Sequence, residues 1–340
     1  MSAVADQPIP RPGILGIAPY VGGESKIAGV ARVIRLASNE SALGPSARAV
    51  EAYRALASEI HRYPDGGSNA LRQALAHRNG IDASRIVCGT GSDELISLLA
   101  RAYSGPGDEV VYSRHGFLMY PIAAKSAGAV PVAADETALT ADVDTILGRV
   151  TPKTRIVFLA NPNNPTGTFL SREEVKRLHA GLPRSTLLVI DAAYAEFVTR
   201  NDYEPGIELV ERAQNVVMLR TFSKIYALAG LRVGWAYCSA AIADVLNRIR
   251  GVFNINLPAQ AATLAALDDI AAIDRARSHN DLWRPWLERE LAALGFGVTP
   301  SVANFVLVHV GAPPRNSDAA FSYLQSRGIL VRKMGAYGLP

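Results

Sequence analysis

Cysteine is almost absent from this chain of 340 residues. Cys88 and Cys238 are the only two, and each lies in an apolar, strand-like run far from the other. A disulfide framework or a thiolate metal site needs cysteines at repeated, closer spacings. We therefore expect two core cysteines, no metal site and a reducing compartment.

Long apolar runs and dense basic blocks are missing as well. No stretch reaches the roughly 18 apolar residues of a membrane span, and the opening MSAVADQPIPRPG lacks the apolar run of a signal peptide. The 35 basic and 31 acidic residues are spread along the chain and give a formal net charge of +4. We expect no nucleic-acid or membrane partner, but a cytoplasmic protein that binds small anionic molecules.

The chain instead has ample apolar material, since 49% of its residues are hydrophobic and 19% are charged. Between residues 85 and 238, seven short Val/Ile/Leu-rich runs alternate with helical patterns. This alternation predicts an α/β fold with a large, mainly parallel sheet and helices on both faces. The predicted strands are Arg85–Cys88, Glu109–Tyr112, Ala129–Ala133, Arg155–Ala160, Leu187–Asp191, Val216–Arg220 and Val233–Cys238.

The pattern changes after Gly251, where a smaller α/β domain is expected. We therefore predict an N-terminal arm that forms part of the small domain (1–45), a large domain (46–250) and the small C-terminal domain (251–340). Its predicted elements are helices at about 258–277 and 280–294, strands around Val298 and over Phe305–Val310, a helix Asp318–Arg327 and a strand Ile329–Arg332.

A candidate phosphate site surrounds Lys224, which follows a predicted strand. A lone lysine there would more often be a solvated residue, but Ser223 stands beside it and Arg232 lies eight positions on. A hydroxyl and a guanidinium are suited to hold a phosphate, and an amine beside them is what an aldehyde-phosphate cofactor requires. Ser92 and Asp93 open a helix after a glycine-rich turn, where backbone N–H groups bind anions, although ordinary helix capping is the alternative.

Asp191 ends an apolar strand at the same predicted edge of the sheet, and Tyr194 follows three residues later. Ligands of such sheets bind beyond the carboxyl ends of the strands. A carboxylate there can keep a pyridine nitrogen protonated, so that the ring becomes an electron sink, and Tyr194 could reach the phenolic oxygen of the same ring. The alternative for Asp191 is a helix cap.

The most specific string is Asn161-Pro162-Asn163-Asn164-Pro165-Thr166-Gly167, which matches the loop of fold-type I aminotransferases position by position. With Arg62-Tyr63-Pro64-Asp65-Gly66 upstream and Ser223-Lys224 downstream, the chain resembles the histidinol-phosphate aminotransferase family from about Pro19 to Pro340. This resemblance implies a pyridoxal-5'-phosphate (PLP)-dependent transferase of fold type I.

The resemblance also implies roles for individual residues. Lys224 would carry the cofactor as a Schiff base and serve as acid and base, Asp191 would pair with the pyridine nitrogen, and Asn164 and Tyr194 would bind the phenolic oxygen. Tyr63 would reach the cofactor phosphate of a neighbouring subunit, which implies a homodimer. The implied phosphate ligands are Ser92, Asp93, Ser223 and Arg232, and Phe117 would stack on the ring, although it could equally be a core residue.

The implied reaction is transamination of L-histidinol phosphate with 2-oxoglutarate, which yields imidazole acetol phosphate and L-glutamate in histidine biosynthesis. Tyr20, Asn39 and Arg332 are the candidate substrate residues, although Tyr20 and Arg332 could equally be structural. Asn39 stands in Asn-Glu-Ser-Ala, where the family often has Asn-Glu-Asn-Pro. His115 is a possible base, but a hydrogen-bonded loop histidine is the simpler interpretation.

Several alternatives remain open from the sequence. They are an aromatic amino-acid aminotransferase, a PLP-dependent decarboxylase, a ligand-sensing domain and a catalytically impaired, truncated homologue. The last arises because family members continue past the position of Pro340 into a strand with a substrate-binding arginine and a final helix. On that basis we expect a chain of this length to load the cofactor but to turn over poorly and to be less stable.

Overall fold

The computed structural model describes residues 8–30, 32–311 and 316–339. The first seven residues of the predicted arm, and Pro340, therefore lie outside the described residues. The strands are β1 (Ile34–Arg35), β2 (Ile86–Gly89), β3 (Glu109–Ser113), β4 (Val130–Ala134), β5 (Glu136–Thr137), β6 (Thr140–Ala141), β7 (Thr154–Ala160), β8 (Leu187–Asp191), β9 (Val216–Thr221), β10 (Gly234–Tyr237), β11 (Gly297–Thr299), β12 (Leu307–His309) and β13 (Ile329–Leu330). The helices are α1 (Ala47–Ala55), α2 (Asn69–Asn79), α3 (Gly91–Tyr103), α4 (Met119–Ala127), α5 (Val143–Gly148), α6 (Arg172–Gly181), α7 (Ile207–Arg212), α8 (Ala240–Ile249), α9 (Leu257–Leu267), α10 (Ile270–Ala293) and α11 (Ser317–Ser326).

A seven-stranded sheet forms the centre of the molecule, in the order β2-β10-β9-β8-β7-β3-β4. All pairs from β9 to β4 are parallel, whereas β10 runs antiparallel to both of its neighbours, β2 and β9. The prediction of a large, mainly parallel sheet is confirmed, and each of its strands lies within one or two residues of the predicted range.

Apolar side chains cover both faces of this sheet. Along β8, Leu188 and Ile190 point into one core cluster, and Leu187 and Val189 point into the other. This alternation follows from the two-residue period of a strand, and a strand buried on both faces must be apolar throughout. The second cluster includes residues of α3, α4 and α8, so helices close that face of the sheet.

Helix ends follow local capping signals in the sequence. The side chains of Ser46, Ser171 and Ser239 each accept a hydrogen bond from a backbone N–H of the first helical turn, at 3.2–3.4 Å. Gly80 and Gly128 end α2 and α4 in the left-handed conformation that glycine adopts without strain.

The region after Gly251 differs from its predicted boundaries. The predicted break between two long helices at about residue 278 is wrong, because α9 ends at Leu267 and α10 runs on to Ala293. The Asp269 side chain caps the new helix by accepting from the Ala272 N–H at 3.1 Å. Of the strand predicted over Ile329–Arg332, only Ile329–Leu330 forms a strand, β13, which pairs in parallel with β1.

No helix in the described ranges is both long enough and apolar enough to cross a membrane.

Candidate active site

Three strand ends lie side by side at one edge of the central sheet. In the register of β10, Gly234 stands opposite Gly89 of β2 on one side and opposite Thr221 of β9 on the other. The segments that follow β2 and β9, and the segment that precedes β10, therefore meet at this point. These segments carry Ser92, Ser223 and Arg232.

Arg232 connects the two sides of this cradle. Its Nη1 donates to Ser223 Oγ at 3.4 Å, and its Nη2 donates to the Asp93 carboxylate at 3.1 Å. Ser223 Oγ also accepts from Thr221 Oγ1 at 3.0 Å. Ser92 lies in the first turn of α3, and the side chain of the N-cap residue Thr90 caps none of the helix's free N–H groups. Hydroxyl, guanidinium and helix N–H donors thus converge as a phosphate group requires.

Two glycines allow the backbone to approach this closely. A Cβ atom at Gly91, whose φ is +77°, would lie 2.4 Å from Arg232 Nη2. A Cβ atom at Gly234 would lie 2.4 Å from the backbone nitrogen of Ser92. Because no real Cβ contact is that short, both positions require glycine while the cradle keeps its shape.

Asp191 ends β8 and is buried at 5% exposure. Its Oδ2 accepts a hydrogen bond from the Tyr120 hydroxyl at 2.9 Å, whereas its Oδ1 is buried without a hydrogen-bond partner in the described residues. Burial raises the pKa of Asp191 to about 6, and the Tyr120 hydrogen bond acts in the opposite direction. A buried carboxylate oxygen without a donor can accept from a protonated ring nitrogen.

Lys224, Tyr194 and Asn39 form a connected group. Lys224 Nζ lies 5.3 Å from the centroid of the buried Tyr194 ring, within the range of a cation–π contact. Asn39 Nδ2 donates to the Tyr194 hydroxyl at 3.1 Å. Since the hydroxyl accepts this bond, its own proton is left to donate to a ligand.

The asparagine-rich loop after β7 is held in place by two of its three asparagines. The Asn161 side chain makes two bonds with the backbone of Leu170, at 3.0 and 2.8 Å, and Asn163 Nδ2 donates to Thr166 Oγ1 at 2.9 Å. Asn164, the predicted ligand, is half-buried between them and the rest of the loop. The loop thus fixes the backbone on which Asn164 stands.

The candidate substrate residues Tyr20 and Arg332 meet beside Phe117. The Tyr20 ring packs edge-on against Phe117 at 6.5 Å, and the Arg332 guanidinium lies 5.5 Å from the Tyr20 centroid. Arg332 Nη2 also donates to the Val21 carbonyl at 2.9 Å. Tyr63 makes its contact elsewhere, where it is 82% exposed and stacks on Phe253 at 4.7 Å.

His115 is held by a buried carboxylate. Its Nδ1 lies 2.7 Å from Glu136 Oε2, and Glu136 Oε1 accepts from the His115 N–H at 3.1 Å and from the Ser113 hydroxyl. The Glu136 side chain is only 2% exposed. His115 is therefore a hydrogen-bonded loop histidine, as the simpler interpretation held.

Three neighbours of the site were not found from the sequence. Tyr120 stacks on Phe158 at 4.8 Å and reaches Asp191, yet in an apolar helix it resembles any core aromatic residue. Glu136 stands among polar turn residues without a distinctive pattern. Tyr337 is buried near the C-terminal end of the described chain, where burial and then the neighbouring Tyr20 raise its pKa.

The chain is similar to known aminotransferases in sequence and in structure. Residues 31–340 match the family model described as "Aminotransferase class I and II". The chain is 62% identical to histidinol-phosphate aminotransferase of Paramagnetospirillum magneticum and 61% identical to that of Rhodospirillum centenum, and each match covers 98% of this chain and 92% of the relative. A crystal structure of histidinol-phosphate aminotransferase from Sinorhizobium meliloti in complex with pyridoxal-5'-phosphate superposes with a TM-score of 0.88 and 31% identity over 97% of this chain and 90% of that one.

Proposed function

The chain belongs to the class I and II aminotransferase family, and from this membership we propose that it transfers the amino group of L-histidinol phosphate to 2-oxoglutarate with the help of PLP. The observation that carries the proposal is the convergence of three features at one sheet edge. They are the phosphate cradle around Arg232, the buried Asp191 Oδ1, which has no hydrogen-bond partner in the described residues, and the Lys224 amine over the Tyr194 ring.

The residues of the site fit PLP group by group. Ser92, Ser223, Arg232 and the first turn of α3 would hold its phosphate, with Asp93 orienting the guanidinium. Asp191 Oδ1 would accept from the ring nitrogen, and Asn164 and Tyr194 would bind the phenolic oxygen. When bound, PLP supplies an aldehyde that condenses with amines and a ring that accepts the charge of a substrate carbanion.

Lys224 has two tasks in this proposal. With PLP bound, its amine would hold the cofactor aldehyde, and as a free amine it would move a proton at the substrate carbon that bears the amino group. Tyr194 lies against the Lys224 amine and limits where it can move. The Asp191 carboxylate would keep the ring nitrogen of bound PLP protonated by its charge.

We assign substrate recognition to Tyr20 and Arg332, which meet beside Phe117, and to Asn39, which donates to the Tyr194 hydroxyl. Arg332 is anchored by a backbone carbonyl and by the Tyr20 ring, so its remaining N–H donors are held in place for a phosphate or carboxylate. Phe117 and Tyr20 supply an aromatic wall.

We further propose that the protein is a cytoplasmic homodimer, in which the exposed Tyr63 of one subunit binds the cofactor phosphate of the other. The proposed division of the chain is an N-terminal arm up to residue 45, a large domain up to residue 250 and a small C-terminal domain.

Kinetics with a panel of amino donors test this function. L-histidinol phosphate should exceed L-histidinol in kcat/KM by at least about 100-fold, because the unphosphorylated donor leaves a guanidinium without its partner. L-phenylalanine and L-tyrosine serve as the aromatic comparison. Equal or higher kcat/KM for the aromatic amino acids would support an aromatic aminotransferase instead.

The cofactor assignment is checked in the same preparations. Lys224→Ala should lose the covalent, borohydride-reducible link to the cofactor, whereas Lys125→Ala, a substitution on α4, should keep it. A reducible link in the Lys224→Ala protein contradicts the assignment of Lys224.

A further inference from the structure

A cleft of about 560 Å³ opens at a place separate from the Lys224 site. It lies between the end of α2, the turn Ala195–Phe197, β9 and α10, and none of the residues assigned to the cofactor lines it. Its volume falls within the range of about 300–1,000 Å³ that is typical of small-molecule sites. The cleft is therefore large enough for a metabolite-sized ligand.

The wall of this cleft has more positive than negative charge. Arg78, Arg220 and Arg277 line it, and Glu196 is the one carboxylate among the lining residues of the described chain. Glu196 pairs with Arg220 at 2.7 Å, with side chains 8% and 11% exposed. Arg277 also pairs with Asp274, but Asp274 is 59% exposed and such pairs are worth little. Among the described residues, Arg78 and Arg277 thus have no buried counter-charge, and both side chains are at least partly open to solvent.

Backbone carbonyls hold these guanidinium groups in position. Arg78 Nη1 donates to the Leu267 carbonyl at 2.9 Å, and Arg277 Nε donates to the Glu196 carbonyl at 3.0 Å. Each guanidinium has five N–H donors, so each retains donors for a ligand after these bonds. Side chains that are ordered before binding lose less entropy when the ligand arrives.

Aromatic side chains complete the arginine-rich wall. The Arg220 guanidinium lies 5.8 Å from the centroid of the Trp235 ring, and Tyr226 lines the same cleft. Arg220 Nε and Glu196 Oε2 are both buried without a hydrogen-bond partner in the described residues, so the Arg220–Glu196 pair leaves one donor and one acceptor unsatisfied. The cleft therefore combines oriented guanidinium forks with partly apolar walls, a combination suited to an oxyanion.

We propose that this cleft is a second anion site, which binds inorganic phosphate or a small phosphate monoester. Planar guanidinium forks match the oxygen geometry of phosphate, and a doubly charged anion balances the two uncompensated arginines. Glu196 lies two residues after Tyr194, and Arg220 lies four residues before Lys224. A ligand there ties α2 and α10 to the segments that carry these two residues, so it raises the melting temperature of the protein.

Calorimetric titration of inorganic phosphate into the cofactor-loaded protein tests the site. The background substitution Arg332→Gln removes the competing anion contact at the proposed substrate group. In this background one phosphate site should remain, and adding Arg78→Gln with Arg277→Gln should weaken it at least tenfold. Arg289→Gln, which removes one positive charge on α10 outside the cleft, should leave the affinity unchanged. Glycerol 3-phosphate in a parallel titration shows whether the site accepts a monoester.

A charge-conserving variant shows whether phosphate binding needs the shape of the guanidinium group as well as its charge. Arg277→Lys retains the charge but not the fork, so it should bind phosphate with intermediate affinity and unfold at the wild-type temperature without phosphate. The site is refuted if no phosphate binds in the Arg332→Gln background, if the cleft substitutions leave binding unchanged, or if Arg289→Gln weakens it equally. Retained cofactor absorbance in all variants separates this outcome from a failure of the proposed function.

Discussion

In the absence of a ligand, Asp191 lowers the stability of the fold. It is buried, and only one of its carboxylate oxygens has a hydrogen-bond donor among the described residues. Taking an ionised carboxyl out of water costs free energy unless enough donors replace the water, and here the cost appears as a pKa raised to about 6. A protonated ring nitrogen at Oδ1 would supply the missing donor, so the local cost to stability is accounted for by cofactor binding.

This cost predicts a pH-dependent effect of Asp191→Asn on the cofactor-free protein. A native pKa of about 6 against an ordinary value of 3.8 means that the native state holds the proton more tightly. The loss of folding stability caused by ionising the buried Asp191 is therefore absent below about pH 4 and complete above about pH 6, where it is on the order of 3 kcal/mol. Because asparagine stays neutral, the variant should be more stable than the wild type at pH 8 by up to about that amount.

Urea unfolding of both proteins at several pH values measures this difference. The gap between the two free energies of unfolding should close as the pH falls towards about 4. With PLP bound, the order at pH 8 should reverse, because an amide cannot pair by charge with the ring nitrogen. A stability gap that is independent of pH would contradict the buried, ionised state of Asp191.

At the scale of an element, the segment between β3 and α4 positions an aromatic wall of the site. Ser113 and His115 are both bonded to Glu136, and Phe117 follows two residues later against Tyr20. Serine and histidine bind the same carboxylate rather than each other, so the group is not a nucleophilic triad. It instead ties the segment to β5 by several bonds.

Glu136→Gln should loosen this segment without unfolding the protein. A neutral amide cannot accept the same three hydrogen bonds as the carboxylate, so Phe117 should be held less firmly. We expect the KM for the amino donor to rise about five- to tenfold with a smaller change in kcat, together with a weaker visible circular dichroism band of the bound cofactor.

Arg114→Gln is the matched control for this prediction. Arg114 lies in the same segment and pairs with Asp135, but both side chains are about half exposed, at 49% and 55%. Exposed pairs contribute at most about 1 kcal/mol, so KM and the dichroism band should stay at their wild-type values. Equal effects of the two substitutions would argue against a positioning role for Glu136.

At the scale of the whole molecule, the proposed homodimer makes Tyr63 part of a neighbour's site. Tyr63 and Phe253 form an exposed aromatic stack, and Val252 beside them is 86% exposed. Large apolar side chains exposed together are typical of interaction surfaces. The stack adjoins Asn254, which donates to Glu94 of α3 at 2.8 Å, so this surface is connected to the helix that opens at the phosphate cradle.

Mixing two inactive variants tests whether Tyr63 acts across subunits. Tyr63→Ala and Lys224→Ala each damage every site of their own homodimer. In a mixed dimer one site receives Tyr63 from one chain and Lys224 from the other, so an equal mixture should recover about a quarter of the wild-type activity. No recovery after subunit exchange, verified by mass spectrometry of the mixed dimer, would mean that Tyr63 acts within its own chain.

The sequence alone determined the strands of the central sheet, and it predicted the loops at the sheet edge and the residues of the candidate site. Strands buried on both faces must be apolar along their length, so seven such runs were visible locally. Because parallel strands end at a common edge, the polar residues after β7, β8 and β9 could be placed together before the structure was known. The asparagine-rich loop and Ser223-Lys224 then carried the family resemblance.

Only the tertiary structure decided the partners that are distant in sequence. Tyr120 lies 71 residues from Asp191, and Asn39 lies 155 residues from Tyr194. The antiparallel insertion of β10 between β2 and β9, which brings Arg232 to Ser223, has no local signal either. Such pairings depend on the relative positions of whole strands and helices, which are set by the sum of many weak packing contacts. Helix and strand periodicity report only which face of each element is buried.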